Sequence, residues 1–145
     1  MTTQAEELVV RRAVRVERPI EDAFRVFTDG IATWWPLDTH SKAGDHAETA
    51  VLEGRNGGRL YEKVDDGTEH DWGAVTHWEP PHRVAFSWRI TGVPTHVDVT
   101  FTPDGDGTRV ELVHRGFERL ADPEATHSSY SRGWQYVLGR YAAAS

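Results

Sequence analysis

The chain contains no cysteine among its 145 residues. A disulfide framework and thiolate chemistry are therefore excluded, although that absence does not decide the compartment. Positive charge is scarce: 16 lysines and arginines stand against 23 aspartates and glutamates, a net charge of −7. Such a balance disfavours nucleic acid or an anionic membrane as the main partner. No apolar run is long enough to span a bilayer. The first residues, MTTQAEELVVRRAV, place acids before a very short apolar pair and lack the apolar stretch of a signal peptide. A cytoplasmic protein is the expectation. Repeats, low-complexity tracts and linkers are also missing, so residues 1–145 read as one domain.

Motifs for chemistry are equally thin. Eight histidines are present, yet no H-x-x-x-H or H-E-x-x-H spacing occurs. His40 and His46, near Asp38 and Asp45, read as solvated loop histidines, and His70 beside Asp71 sits at a strand start. No G-x-S-x-G elbow is found. Ser128, Ser129 and Ser131 lie near His127 at a helix start, where serine serves capping or solvation. GRNGGR joins two strands rather than opening a helix, so it lacks the dipole that binds phosphate. Neither a metal nor a cofactor is expected.

What the sequence does hold is tryptophan, six in all. Trp34 and Trp35 are adjacent, with Pro36 behind them. Neighbouring residues do not share a face of a helix or strand, so one ring can enter a core while the other points elsewhere. Ile31 and one of the tryptophans are expected to anchor a short helical turn. Trp35, next to the chain-turning Pro36, is expected at a cavity mouth.

Periodicity orders the elements. Residues 8–18 alternate apolar and basic positions through Val10 and Val16, a strand with one wet face. PIEDAFRVF follows with proline at a helix start and acids in the first turn. Ile20, Ala23, Phe24 and Phe27 form its apolar stripe. Residues 37–46 read as loop. About six strands then follow, over AETAVLE, GRLYEKV, the two halves of EHDWGAVTHWEPPHRVAFSWRI, HVDVTFTP and TRVELVHR, with turns at GRNGG, DDGT, GVPT and DGDG. Asp122-Pro123-Glu124 opens the last helix with an N-cap, a first-turn proline and a dipole-favoured acid. Tyr130, Trp134, Val137, Leu138 and Tyr141 make its single apolar stripe. This α+β order predicts an antiparallel sheet whose dry face is covered by the long C-terminal helix, with a concavity between them suited to a ligand.

The opening strand with RPIEDAFRVFTD, then WWP, GGRLYE, WGAVTHWEPPHRVAFSW and GWQYVLGRY form an ordered set over nearly the whole chain. In that set the sequence resembles the START-like (SRPBCC) superfamily, and within it the heat shock protein ATPase activator homologue group. The resemblance implies a helix-grip fold: a curved antiparallel sheet around a long C-terminal helix, two short helices after the first strand, and a cavity between. It implies little about chemistry, because members include lipid and polyketide binders, cyclases, hydrolases and chaperone co-factors.

Candidate site residues follow from strand and helix faces. Glu62 shares a face with Leu60 and Val64. Inward placement would desolvate it and favour its neutral form, making it a candidate acid, base or ligand anchor. Phe86 and Trp88 share an apolar face with Val84 and Ile90, and Val99 and Phe101 share one with Val97. Trp72 lies on a strand whose inward face the alternation leaves open. Tyr130, Trp134 and Val137 come from the helical stripe, and His127 lies on it one turn earlier. Core packing is the plainer reading for each tryptophan, and solvation for His127. The expected function is binding of a small apolar or aromatic molecule without turnover. The alternatives are a cyclase or hydrolase using Glu62 or His127, and a chaperone co-factor by family analogy. A homodimer is left open.

Overall fold

The computed structural model describes residues 8–144. The leader expectation falls on residues 1–7, outside those described. Strand β1 (Val10–Val16) buries Val10 and Val16 and exposes Arg11 and Arg15. Helix α1 (Ile20–Thr28) begins after Pro19, which has no backbone N–H to leave unsatisfied. It buries Ala23, Phe24, Phe27 and Thr28. Its junction with helix α2 (Ile31–Trp34) is tight: a Cβ on Gly30 would stand 2.9 Å from the Val26 carbonyl oxygen.

Trp35 ends α2 in extended conformation, with ψ at 129°. The cause is Pro36, whose ring disfavours helical geometry in the preceding residue. That one backbone rotation separates the two tryptophans. Trp34 packs against Phe27 and Tyr141 at ring-centroid distances of 5.2 and 5.1 Å, while Trp35 turns toward Trp72, Trp88 and Trp134.

Six strands follow: β2 (Ala47–Leu52), β3 (Arg59–Val64), β4 (Glu69–Glu79), β5 (Arg83–Trp88), β6 (Thr95–Asp104) and β7 (Gly107–Arg115). They form one antiparallel sheet with β1, in the order β1-β7-β6-β5-β4-β3-β2. The first strand therefore pairs with the last, from Val10 opposite His114 to Val16 opposite Thr108. Helices α1 and α2 carry the chain from one sheet edge to the other.

Strand β4 breaks strict alternation. Its register slips against β3 between Leu60 and Tyr61, and against β5 between Val75 and His77. Trp72, Gly73 and Val75 are all buried as a result. Gly73 is required by close approach: a Cβ there would lie 1.8 Å from the Ser87 carbonyl oxygen.

Helix α3 (Pro123–Ala143) lies across the concave face and buries Trp134, Val137, Leu138 and Tyr141. Pro123 stands in its first turn, but Asp122, at the cap position, makes no side-chain cap bond, so that part of the expected start is not built. The Tyr141 hydroxyl donates to the Ala23 carbonyl at 2.7 Å, and Arg12 donates to the Ser131 carbonyl and hydroxyl, fixing α3 to α1 and β1. This is the helix-grip arrangement. No helix among the described residues is long and apolar enough to cross a membrane.

Candidate functional site

Between α3 and the sheet lies a cavity of about 310 Å³, at the lower end of the roughly 300–1,000 Å³ usual for small-molecule sites. Its apolar wall is Trp35, Trp88, Ile90, Trp134 and Val137; Gly133 also borders it. Polar groups come from Thr39, His40, Ser41, Ser129 and Tyr130.

The tryptophans form a connected cluster. Trp35 lies 5.8 Å from Trp134, and Trp88 lies 5.5 Å from Trp134, between ring centroids. Trp72, wholly buried, backs Trp35 at 5.1 Å and Trp88 at 5.8 Å. A buried indole N–H needs an acceptor, and each one here has it. Trp35 donates to the His40 carbonyl at 2.8 Å, Trp88 to the Tyr130 hydroxyl at 3.0 Å, and Trp134 to His114 Nδ1 at 2.9 Å. Trp72 donates to Glu62 Oε1 at 2.6 Å. With their dipoles spent on protein, the rings of Trp35, Trp88 and Trp134 offer the cavity only π faces and edges.

His114 is the pivot behind this wall. It is fully buried, and because it accepts from Trp134 at Nδ1, its proton resides on Nε2. Nε2 in turn contacts Thr95 Oγ1 at 2.7 Å. Burial pushes the His114 pKa down to about 3, with a smaller push from His96, so the ring is neutral at physiological pH.

Three polar groups on the cavity have capacity left among the described residues: the exposed Ser129 hydroxyl, Tyr130 and His40. Tyr130 accepts from Trp88, and its own hydroxyl hydrogen has no acceptor among the described residues. Burial raises its pKa, against the Trp88 hydrogen bond, so it stays a donor. His40 contacts Thr39 Oγ1 through Nδ1 at 2.7 Å, leaving Nε2 without a described partner. Burial lowers the His40 pKa, with Asp38 opposing. His40 also stacks on Tyr136 of α3 at 5.1 Å, which brings its loop against the helix.

The sequence-derived candidates divide on geometry. Trp35, Trp88, Tyr130, Trp134 and Val137 converge on the cavity. Phe86, Val99 and Phe101 do not border it; they are buried in the sheet core. Trp72 stands one layer behind. Glu62 is inward and 0 % exposed, as the strand alternation predicts, but it does not reach the cavity. Its carboxylate accepts from Lys42 N at 2.7 Å, Ala43 N at 2.8 Å and Trp72 Nε1, three donors and no acceptor, with His70 Nδ1 at 3.5 Å. The expected role as acid, base or anchor facing a ligand is therefore corrected to that of a buried acceptor. Neither neighbouring arginine holds it: Arg55 pairs with Glu53, and Arg59 with Glu69. His127 likewise faces away. Its Nε2 donates to the Val9 carbonyl at 3.1 Å and its ring packs on Phe117. No three His, Asp or Glu side chains among the described residues converge as a metal site would need.

Residues 17–144 match the profile described as Activator of Hsp90 ATPase homolog 1-like protein. The chain belongs to that family. Among solved structures similar to this Hsp90 activator-like chain is Txn09, an anthrahydroquino-γ-pyrone synthase complexed with SUM. It is 36% identical over 93% of this chain and 95% of its own, with a TM-score of 0.64. DynU16, from the dynemicin biosynthetic locus, is 23% identical with a TM-score of 0.70, and this chain spans about half (46%) of it while being 93% covered. CalU16 from Micromonospora echinospora is 20% identical with a TM-score of 0.62, covering 91% of this chain and 80% of its own. The last two likenesses show the shared fold. Among curated proteins none matches the chain.

Two residues of this family member, His114 and His40, are absent from the sequence-derived site candidates. His114 continues the inward face of Thr108, Val110 and Leu112 on β7, so alternation alone could have found it. His40 sits in irregular loop, where no periodicity points inward.

Proposed function

We propose that the protein binds a small, oxygen-bearing aromatic molecule of the polyketide type in the cavity under α3. The observation that carries this reading is the distribution of polarity. Three tryptophan faces form the wall, their N–H groups all turned into protein, while the uncommitted Tyr130 hydroxyl and His40 Nε2 stand beside them. Planar rings stack on such a wall, and a carbonyl or phenol oxygen meets the two polar groups. The protein works in the cytoplasm on this reading. Stimulation of a chaperone rests on the family name alone.

Turnover is the second reading, favoured by the 36% identity to Txn09, a synthase. Of the side chains on the cavity, His40 is the one suited to accept a proton from a phenol, and Tyr130 the one suited to hydrogen-bond a carbonyl. Glu62 and His127 are engaged elsewhere.

The test is titration with a hydroxyanthraquinone, followed by tryptophan quenching and calorimetry. Saturable binding is expected, and Trp35→Ala should weaken it about tenfold, about 1.4 kcal/mol. Trp35→Ala should also lower the melting temperature less than Trp34→Ala does. Absence of saturable binding to the wild-type protein sinks the proposal. A Trp35→Ala variant with unchanged affinity and a large loss of stability would make Trp35 a core residue only.

A further inference from the structure

The loop between α2 and β2 carries Thr39, His40 and Ser41 over the cavity. It has no regular structure until the single 3-10 turn at Gly44–His46. Irregular backbone at a cavity rim must be held by something specific, or it samples many conformations. Its end toward the helix is the stack of His40 on Tyr136. Its end toward the sheet is Glu62, whose two carboxylate oxygens separately take the successive amides of Lys42 and Ala43. Oε1, the oxygen on Lys42, also holds Trp72, which backs Trp35 and Trp88. One buried side chain thus joins the rim of the cavity to the back of its wall.

We infer that Glu62 is the positioning residue of the cavity mouth. Through the Lys42 and Ala43 amides it fixes the loop bearing His40, and so sets which ligands enter, without touching one. The inference rests on the reading of this cavity as a ligand site. The chemistry fits the role. A carboxylate can accept from all three donors at once. The isosteric amide of glutamine presents N–H groups where one oxygen stood, so at least one of the three donors faces another donor. Charge-assisted hydrogen bonds to backbone amides are also among the stronger ones.

The experiment compares wild type, Glu62→Gln and Trp72→Phe by amide exchange and by ligand binding. In Glu62→Gln, exchange of the Lys42 and Ala43 amides should rise about tenfold or more while the β6 and β7 amides stay protected, a local rather than global opening. Trp72→Phe deletes the indole donor and trims the ring behind Trp35 and Trp88, but keeps the carboxylate on both loop amides, so both should stay slow. The ratio of affinities for a three-ring and a one-ring hydroxyaromatic should shift several-fold in Glu62→Gln and stay put in Phe101→Leu, a further variant in the sheet core away from the cavity. A merely structural role lowers stability without changing that ratio.

Unchanged loop exchange in Glu62→Gln, or an equal rise in Trp72→Phe, overturns the inference while leaving ligand binding intact. Raised exchange with an unchanged ratio overturns it too, since the loop would not govern entry. Failure of wild type to bind either probe sinks the ligand-site reading and this inference with it. Should Glu62→Gln not fold, the wild-type protein decides: slow Lys42 and Ala43 amides are expected, and fast exchange of both overturns the clamp.

Discussion

His114 is the residue whose protonation the fold resists most clearly. It is buried beneath Trp134 and next to Phe117 and Tyr130, with a pKa pushed down to about 3 mainly by burial. In the unfolded chain a histidine titrates near 6.5. Below that pH the unfolded state binds a proton that the native state refuses, so stability falls as pH drops from about 6.5 toward 3. It is fully present above the unfolded value. The slope from this one group approaches about 1.4 kcal/mol per pH unit. His114→Leu should therefore be less stable than wild type at neutral pH, because Trp134 loses its acceptor, yet lose stability more slowly on acidification. Urea melts across that window measure it. A wild-type and variant slope that coincide would mean that His114 is protonated in the native state. At this scale sequence pattern is only half informative. Alternation puts Glu62 and His114 inward, but which hydrogen bonds meet them depends on Lys42, Ala43 and Trp134, each 19 or 20 residues away.

Elements were legible where a period runs unbroken. Helix α3 shows this: the apolar spacing of Trp134, Val137, Leu138 and Tyr141 is the buried stripe. Leu138→Ala should cost about 2–5 kcal/mol, the usual range for large-to-small core changes. Gln135→Ala, on the exposed face, should stay within about 0.5 kcal/mol. Chemical denaturation of both variants checks the pair, and a small loss at Leu138 would rotate the helix. Strand β4 was not legible for the converse reason. Two register slips move its inward face, so Trp72 and Val75, three apart, are both buried. Gly73 marks one slip, since only a residue without a side chain fits against Ser87. Residues 37–46 carry no period, and apart from the 3-10 turn at Gly44–His46 they are irregular, so His40 carries no directional signal.

At the scale of the molecule, the sheet and long helix follow from element order, while the cavity does not. Inward aromatics from β5, β6, α2 and α3 look alike in sequence. Phe86 and Phe101 fill the core while Trp35 and Trp134 border space, a difference set by tertiary packing that no period in the sequence records. A ligand in that space stabilises the whole fold by mass action. At about 100 times its dissociation constant, a hydroxyanthraquinone should add about 2.7 kcal/mol, or about 5–10 °C of melting temperature for a chain this size. Calorimetric scans with and without ligand test it, and an unshifted transition alongside measured binding would show equal affinity for the unfolded chain.

The pairing of β1 with β7 has a consequence in time. Val10 faces His114 across a gap of 104 residues (114 − 10) in the chain. At about 5–20 residues per second of synthesis, the ribosome needs about 5–20 s to deliver the partner after the first strand has been made. The nascent β1 spends that interval with no strand to join. The strand carries Arg11, Arg12 and Arg15 among its valines, and this charge keeps a waiting edge from joining the same edge on a neighbouring nascent chain.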